Sequence, residues 1–338
     1  MKWKYYVALG MSIALCALST GCDRIEVVTK DETGSTELMD GEMSASLGDE
    51  SEDATSGDGT TTASGVDNEA SSSEAEAQDS SENTSEDTSE KAKATTEVVE
   101  RSAEEYAAID NTLESWWFKR NPDHGCPGCQ DNFDIEPYRA YYVNKNATDN
   151  VIYFTFDCGY ENGYTARILD TLKEQNVPAI FFVTQYYIEQ NPDLIKRMKE
   201  EGHLVGNHTN HHPCLPELSI EEQKEELQSC ADCMKELTGY DMDPYMRPPK
   251  GEYSERTLQL CKDMGYTTVF WSIAYLDYDV NNQPTPEYVV EHFDKYCHPG
   301  AVPLVHNVSS ANTEALPTVI EHLREAGYRF GSVDEFCK

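Results

Sequence analysis

From Asp23 to Glu100 the sequence contains no aromatic residue. The segment consists mainly of Ser, Thr, Glu, Asp, Ala and Gly, with 23 acidic and 4 basic side chains. Such a composition buries too little apolar surface to offset the conformational entropy that folding removes. We therefore predict a disordered acidic tether over residues 23–100. Its charges serve either solvation alone or a self-repulsion that keeps the segment extended.

The chain also lacks any cluster of basic residues. Its 26 Lys and Arg residues are outnumbered by 62 Asp and Glu residues, which gives a formal net charge of −36. Because nucleic acids are bound through clustered positive charge, this balance argues against a nucleic-acid partner.

No hydrophobic run near the N-terminus is long enough to span a membrane. Residues 1–22 carry two lysines, an apolar run from Val7 to Leu18 and the small-residue exit "STGC". This pattern is typical of a signal peptide. The cysteine that ends it resembles a bacterial lipobox, although Leu18 lies one place earlier than usual. We expect Cys22 to carry lipid and to anchor the protein on the outer face of the cell membrane, with secretion after simple cleavage as the alternative.

Cysteine usage fits an exported protein. Nine cysteines remain once Cys16 is removed with the signal peptide and Cys22 carries lipid. Nine is odd, so at least one thiol stays unpaired in a monomer, which is the state we expect. The motifs "CPGC" (126–129) and "CADC" (230–233) favour disulfides or thiols over a four-cysteine zinc site, because the second motif lies in a predicted helix. Spacing does not fix the pairing.

From Val151 onward, strand patterns alternate with helical patterns. The predicted strands are "VIYFTF", "AIFFV", "HLVGN", "PYMR", "TTVFW", "AVPLVH" and "YRFGSV". Helix starts are visible between them, for example at Pro192 and at the capping box of Ser219 and Glu222. This alternation predicts an α/β fold with a parallel sheet.

Polar or aromatic residues follow the carboxyl ends of five predicted strands. They are Asp157, His208, Arg247, Trp271 and His306. Folds of this class place their chemistry at that end of the sheet. An open sheet would string the five residues along an edge, whereas a closed barrel brings them together. We therefore favour the barrel.

The stretch "HTNHHP" (208–213) is the strongest local pattern. His208 and His212 lie four residues apart, so in a helical turn both imidazoles would face one side and could bind one metal ion. A polar loop rich in histidine is the alternative. We expect metal binding because the stretch directly follows an apolar strand. Taken alone, Asp157 could be a turn former and His306 a satisfied core histidine.

Several longer motifs are similar to those of a known family. They include "WWFKR", "TFDCGYENGYT", "IKRMKEEGHLVGNHTNHHP", "RPPKGEYSE", "VFWSIAYLDYD" and "HNVSSANTEAL". From roughly Trp116 to the C-terminus the chain resembles the polysaccharide deacetylases with a NodB-homology domain. The resemblance is closest to the delta-lactam-biosynthetic branch, which deacetylates muramic acid in spore peptidoglycan. It implies a distorted seven-stranded (β/α) barrel and a metal-dependent amide hydrolysis.

The resemblance also implies roles for individual residues. Asp157 matches the catalytic base and Arg247 its partner, while His306 matches the general acid and Asp277 the carboxylate that tunes it. Hydrolysis of an acetamide needs an activated water, stabilisation of the oxyanion and a proton for the leaving amine, and this set can supply the proton transfers.

The resemblance further implies ligands and substrate contacts. His208 and His212 match the histidine ligands of a divalent metal, usually zinc. Leu304 matches the wall of the acetyl pocket, and the backbone N–H near Lys250 would face the developing oxyanion. The implied substrate-binding residues are Tyr160, Lys250, Trp271 and Leu304.

Cys158 departs from the family pattern, in which a second Asp usually ligates the metal. A thiolate there would complete a Cys-His-His set with one open position. Alternatively, Cys158 is inert, and two histidines with water hold the metal weakly. The residues leave both possibilities open. A milder departure is Tyr278, which stands where many members have Trp.

We therefore expect a hydrolase that releases acetate from N-acetylmuramic acid or N-acetylglucosamine in peptidoglycan. A silent carbohydrate-binding domain of the cell wall and a deacetylase of another polysaccharide are the alternatives. The expected domains are a signal peptide with lipobox (1–22), the tether (23–100), an N-terminal extension packing on the barrel (101–147) and the deacetylase domain (148–338).

Overall fold

The computed structural model describes residues 28–30, 36–38, 98–130 and 132–337. The predicted signal peptide with Cys22 lies outside these residues, as does most of the predicted tether. Two short strands within the tether segment, Val28–Lys30 and Thr36–Leu38, pair antiparallel. None of the helices in the described part of the chain is long and apolar enough to cross a membrane.

Seven parallel strands form the central sheet. In chain order they are β1 (Ala140–Tyr141), β2 (Phe154–Cys158), β3 (Ala179–Val183), β4 (Leu204–Asn207), β5 (Tyr245–Met246), β6 (Thr267–Val269) and β7 (Leu304–His306). Their spatial order is β7-β2-β3-β4-β5-β6-β1. Beyond β6, Ile273 bridges Pro303 next to β7, so the curled sheet approaches closure there. The predicted α/β fold with a distorted barrel of seven strands is confirmed.

One strand of the barrel differs from the prediction. β1 comes from the segment expected to be an N-terminal extension, and it pairs with β6 through Ala140 and Thr268. The prediction that "YRFGSV" supplies the seventh strand is wrong, because Arg329–Phe330 pairs with Val151–Ile152 in a separate two-stranded sheet. A strand as short as β1 carries too few side chains to show a period of two, which explains why the pattern missed it.

Helices cover the outer face of this sheet. They are α1 (Ala103–Ala107), α2 (Thr165–Glu174), α3 (Gln185–Gln190), α4 (Pro192–Glu200), α5 (Ile220–Thr238), α6 (Glu255–Asp263), α7 (Pro286–Tyr296) and α8 (Ser310–Glu325). The predicted capping box is present at α5, where Ser219 Oγ accepts from Glu222 N–H and the Glu222 carboxylate accepts from Ser219 N–H. That helix ends at Gly239 in a left-handed conformation, as the sequence predicts.

Short elements complete the described part of the chain. Glu114–Ser115 pairs antiparallel with Glu252–Tyr253, and Phe118–Lys119 pairs antiparallel with Gly128–Cys129. Single 3-10 turns occupy Glu136–Tyr138, Leu215–Glu217, Pro249–Gly251 and Val333–Glu335.

Side chains alternate along β2 between the outer face, under the helices, and the inner face of the barrel. Phe154, Phe156 and Cys158 belong to the large apolar core between the sheet and the helices. Tyr153, just before the strand, packs in the second core inside the barrel. Because neighbouring side chains of a strand point to opposite faces, Asp157 shares the inner face.

Candidate active site

A buried ion pair stands at the carboxyl end of the barrel. Arg247 Nη1 donates to Asp157 Oδ1 at 2.7 Å, and both side chains are buried. Asp157 ends the inner face of β2, and Arg247 directly follows β5. The two residues lie 90 positions apart in the sequence, so the barrel is what brings them together.

The rest of the Arg247 guanidinium is held by the sheet. Its Nε donates to Val269 O at 2.8 Å and its Nη2 to Phe270 O at 3.3 Å. The Phe182 ring lies 4.4 Å from the guanidinium carbon. A buried arginine with donors in three directions has a fixed orientation, so it presents one edge to Asp157.

This environment keeps Asp157 ionised. Burial acts to raise the pKa of Asp157, but the positive charge of Arg247, together with His208 and His306, outweighs burial and holds that pKa below its usual 3.8. At neutral pH the carboxylate is therefore charged and can accept a proton.

His208 and His212 come together, although not on a helix. Their ring centroids lie 4.8 Å apart. The segment between them is an irregular loop in which Thr209 and His212 have positive φ, of 69° and 58°. The expected helical turn is therefore absent, and two left-handed residues turn the chain so that the rings still meet. His211 is exposed and hydrogen-bonds Glu226.

The protonation of the two histidines is set by their surroundings. His208 Nδ1 lies 2.8 Å from Arg247 O, a carbonyl that can only accept, so Nδ1 carries the proton. Its Nε2 then presents a lone pair, 3.6 Å from Asp157 Oδ2. Burial lowers the pKa of His208 and lowers that of His212 to about 3. Both imidazoles are neutral at pH 7, which is the form that binds metals.

These side chains provide some of the ligands that a divalent cation needs. A nitrogen lone pair that faces a carboxylate oxygen at 3.6 Å is repulsive unless a cation or a proton lies near both. Nevertheless, no group of three or more His, Cys, Asp or Glu side chains within the described residues is arranged to hold a metal. The protein thus offers two imidazoles with a carboxylate beside them, and water or substrate would supply the other ligands.

The structure does not bring Cys158 together with the two histidines. Its side chain belongs to the apolar core beneath the helices, on the opposite face of β2 from Asp157. Burial, and then the negative charges of Asp157 and Glu161, raise the pKa of Cys158 well above 9.0. It is therefore a neutral thiol in an apolar environment.

The second proton-transfer group stands on the neighbouring strand. His306 on β7 is the register partner of Asp157 on β2. Its Nδ1 lies 2.7 Å from Asp277 Oδ1, and its backbone N–H donates to Asp277 Oδ2 at 2.7 Å. Burial acts to lower the pKa of His306, but the charge and hydrogen bond of Asp277 outweigh it and raise that pKa above 6.5. His306 is thus suited to donate a proton.

The four residues expected to touch substrate lie around this cleft. Lys250 is exposed and has a positive φ of 57°, in the turn directly after Arg247. Trp271 is half-buried, and the guanidinium carbon of Arg247 lies over its ring, 5.6 Å from the ring centroid. Leu304 begins β7, two residues before His306, and Tyr160 is 43% exposed in the loop after β2.

The sequence analysis did not identify two residues that position Asp277. Asn312 Nδ2 donates to Asp277 Oδ2 at 2.6 Å, and Tyr275 OH donates to Asn312 Oδ1 at 2.7 Å. Asn312 lies on the buried face of α8, in line with Leu316 and Val319. A polar residue on an otherwise apolar helix face was the available signal. Tyr278, noted only as a departure, places its ring 5.7 Å from that of His306.

Known proteins are similar to this chain in sequence. The model of the polysaccharide deacetylase family matches residues 144–269. Peptidoglycan-N-acetylmuramic acid deacetylase PdaA of Bacillus subtilis (strain 168) is 44% identical over 230 residues, which cover 68% of this chain and 87% of that protein. Peptidoglycan-N-acetylglucosamine deacetylase PgdA of Listeria monocytogenes is 34% identical over 193 residues, or 57% of this chain and 40% of that protein.

Solved structures agree with the sequence relatives. The structure of Bacillus subtilis PdaA, described as a family 4 carbohydrate esterase, superposes with a TM-score of 0.65 at 43% identity and covers 68% of this chain and 98% of that chain. A family 4 carbohydrate esterase from Bacillus anthracis gives a TM-score of 0.56 at 42% identity, with the same coverage. These comparisons confirm both the resemblance and the enzyme class that it implies, a hydrolase, and show that the chain belongs to the polysaccharide deacetylase family.

Proposed function

We propose that this protein removes N-acetyl groups from amino sugars of peptidoglycan and releases acetate. The single observation that carries the proposal is the pairing of Asp157 and His306 on adjacent strands, where the surroundings lower the pKa of the carboxyl group and raise that of the imidazole. Amide hydrolysis needs these two groups: a base that takes a proton from water and an acid that protonates the leaving amine.

In this proposal each residue of the cleft has one task. Asp157 accepts the proton of the attacking water at its carboxylate, while Arg247 keeps that carboxylate charged and oriented. His306 delivers a proton from Nε2 to the amine nitrogen, since its Nδ1 is committed to Asp277. Each transfer is worth on the order of 10² to 10⁴ in rate.

We further propose that His208 and His212 hold a divalent metal, with zinc the first candidate. The support is their closeness, their neutral state and the hydrogen bond that fixes His208 with Nε2 toward Asp157. A bound ion of this kind supplies Lewis-acid chemistry that activates water and polarises a carbonyl. Cys158 is not assigned to this site because its side chain lies on the other face of β2.

N-acetylmuramic acid is the sugar that we propose as substrate. The N-acetylmuramic acid deacetylase PdaA is more similar to this chain than the N-acetylglucosamine deacetylase PgdA is, and far more of its length is matched. Peptidoglycan lies outside the cytoplasm, so the proposal includes export and anchoring through a lipid on Cys22.

Acetate release from purified peptidoglycan tests the proposal. The protein, supplied with zinc, should release acetate, and mass spectrometry of the resulting muropeptides identifies the sugar that lost an acetyl group. Asp157→Asn should reduce the rate by at least about 10², since it removes the base. Asp193→Asn, at an exposed acid on α4, serves as the matched control. Equal acetate release by wild type and Asp157→Asn would contradict the proposal.

A second candidate, a catalytically silent glycan-binding domain, is favoured by one observation. Cys158 occupies the position of a family metal ligand but lies away from the histidine pair. A silent binder would retain peptidoglycan in co-sedimentation while releasing no acetate at any zinc concentration. Acetate release that depends on Asp157 excludes it.

A further inference from the structure

An exposed tryptophan stands on the segment that crosses the rim of the cleft. Trp117 is 45% exposed, whereas its neighbours Trp116 and Phe118 are 7% and 9% exposed. The Trp116 ring packs into the aromatic core beneath, where it stacks on Phe270 with centroids 4.4 Å apart, and Phe118 pairs with Cys129 in a short antiparallel ladder. The buried neighbours fix the backbone on both sides of Trp117, so the indole is held outward by a rigid support.

A backbone hydrogen bond places the residue before Trp117 beside the turn that follows Arg247. Ser115 pairs with Glu252, and Trp116 N–H donates to Gly251 O at 2.8 Å. Gly251 ends the single 3-10 turn Pro249–Gly251, which also carries Lys250. Trp117, the next residue along the chain, therefore lies close to the turn after Arg247, the partner of Asp157.

The same segment is tied at two points to the chain that follows β6. Trp116 Nε1 donates to Trp271 O at 3.0 Å, and Arg120 Nη2 donates to Ala274 O at 3.0 Å. The Trp271 ring lies beside the Arg247 guanidinium, with 5.6 Å between the guanidinium carbon and the ring centroid. The segment from Trp116 to Arg120 therefore runs beside the loop after β6 and starts next to the ion pair.

We propose that Trp117 is a stacking platform for a pyranose ring of the glycan strand, one subsite away from the amino sugar that is deacetylated. This inference rests on the proposed function and adds a subsite to it. An indole offers a large, flat apolar face with little conformational entropy to lose, and the C–H face of a sugar ring is its complement. A polymeric substrate that reaches the cleft must pass over its rim, where Trp117 meets it.

Kinetics on two substrates test the subsite. With glycan strands of several disaccharides, Trp117→Ala should raise KM about tenfold at unchanged kcat, equivalent to about 1.4 kcal/mol of lost binding. With a single disaccharide, which cannot reach the subsite, KM should stay at the wild-type value. Trp117→Phe should recover most of the affinity. Leu237→Ala, at an exposed apolar residue near the end of α5, is the matched control.

Binding in an inactive background separates this inference from the proposed function. In the Asp157→Asn protein, co-sedimentation with insoluble peptidoglycan should weaken severalfold when Trp117→Ala is added, and circular dichroism should show an unchanged fold. If the wild type releases no acetate, the proposed function fails, while co-sedimentation still reports on Trp117. If Trp117→Ala sediments like its parent and keeps the wild-type KM on long strands, the subsite is overturned.

Discussion

Asn312 donates its side-chain amide to Asp277 Oδ2 at 2.6 Å, from the first turn of α8 to the loop after β6. The same carboxylate accepts from His306 through both the ring nitrogen Nδ1 and the backbone N–H. Asp277 is only 1% exposed, so these donors, rather than bulk water, stabilise its charge. The result is a fixed carboxylate that orients the imidazole of His306 and favours its protonated form.

This relationship predicts how activity depends on pH. His306 must be protonated to act as an acid, so activity should fall as the pH rises through its pKa, which Asp277 raises above 6.5 against the lowering effect of burial. Asp277→Asn removes the charge, so the alkaline limb of kcat should move to lower pH and kcat at pH 7 should drop by about 10² or more.

Asp279→Asn is the control for this profile, since Asp279 is exposed two residues further along the loop. It should leave the alkaline limb where it is. An alkaline limb that stays in place in Asp277→Asn would show that His306 is not the acid.

A second prediction concerns the buried pair. Arg247→Met leaves Asp157 buried without its partner, which should lower the free energy of unfolding by about 3–5 kcal/mol in urea titrations near pH 7. The wild-type pKa of Asp157 is depressed, chiefly because Arg247 outweighs burial, so its stabilisation is present above pH 3.8 and is lost as the pH falls through the lower folded value. In Arg247→Met burial should instead raise the folded pKa of Asp157 above 3.8, so the contribution of Asp157 should reverse and stability should fall as the pH rises through that pKa.

Arg197→Met provides the comparison, because Arg197 forms ion pairs on the partly exposed surface of α4. Surface pairs contribute about 0–1 kcal/mol. Equal destabilisation by the two substitutions would contradict a special role for the buried pair.

Much of the site could be predicted because parallel strands end at a common rim. Asp157, Arg247 and His306 each follow an apolar strand pattern, and a barrel brings such positions together whatever their separation in sequence. The histidine pair was predicted for the wrong local reason, since its rings meet through two left-handed residues rather than a helical turn. Left-handed conformations at Thr209 and His212 are unusual for such residues, and a sequence pattern does not indicate them.

The sequence did not predict the features that depend on which face of a strand or helix a side chain lies on. The sequence leaves open whether Cys158 lies on the inner or the outer face of the sheet. The face depends on whether the strand still continues at residue 158, and hydrophobic patterning does not define the end of a strand. The contact of Asn312 with Asp277 depends on the docking of α8 against the loop after β6. Such tertiary geometry leaves only a weak trace in the sequence, here a polar residue on an apolar helix face.

The third prediction assigns metal binding to the histidines. His208→Ala and His212→Ala should each abolish retention of zinc after dialysis, measured by inductively coupled plasma mass spectrometry, whereas Cys158→Ser should retain wild-type zinc. Cys158→Asp should not strengthen binding. It places a carboxyl group in the apolar core under the helices, where burial without a partner costs several kcal/mol, so its melting temperature should fall. Tighter zinc binding by Cys158→Asp would overturn the assignment.

The last prediction concerns the turn that carries Lys250. Gly251 has a positive φ of 70°, and a Cβ there would lie 2.7 Å from the Trp271 ring and 3.0 Å from Trp116 Cβ. Gly251→Ala should therefore lower the free energy of unfolding by about 1–3 kcal/mol and raise KM, because Trp271, an expected substrate contact, and the buried Trp116 must shift. Gly202→Ala separates the two causes, since Gly202 has a φ of 86° but open space around its Cβ. It should show only the backbone strain of about 1–2 kcal/mol and an unchanged KM. If Gly251→Ala also leaves KM unchanged, Trp271 does not contact substrate.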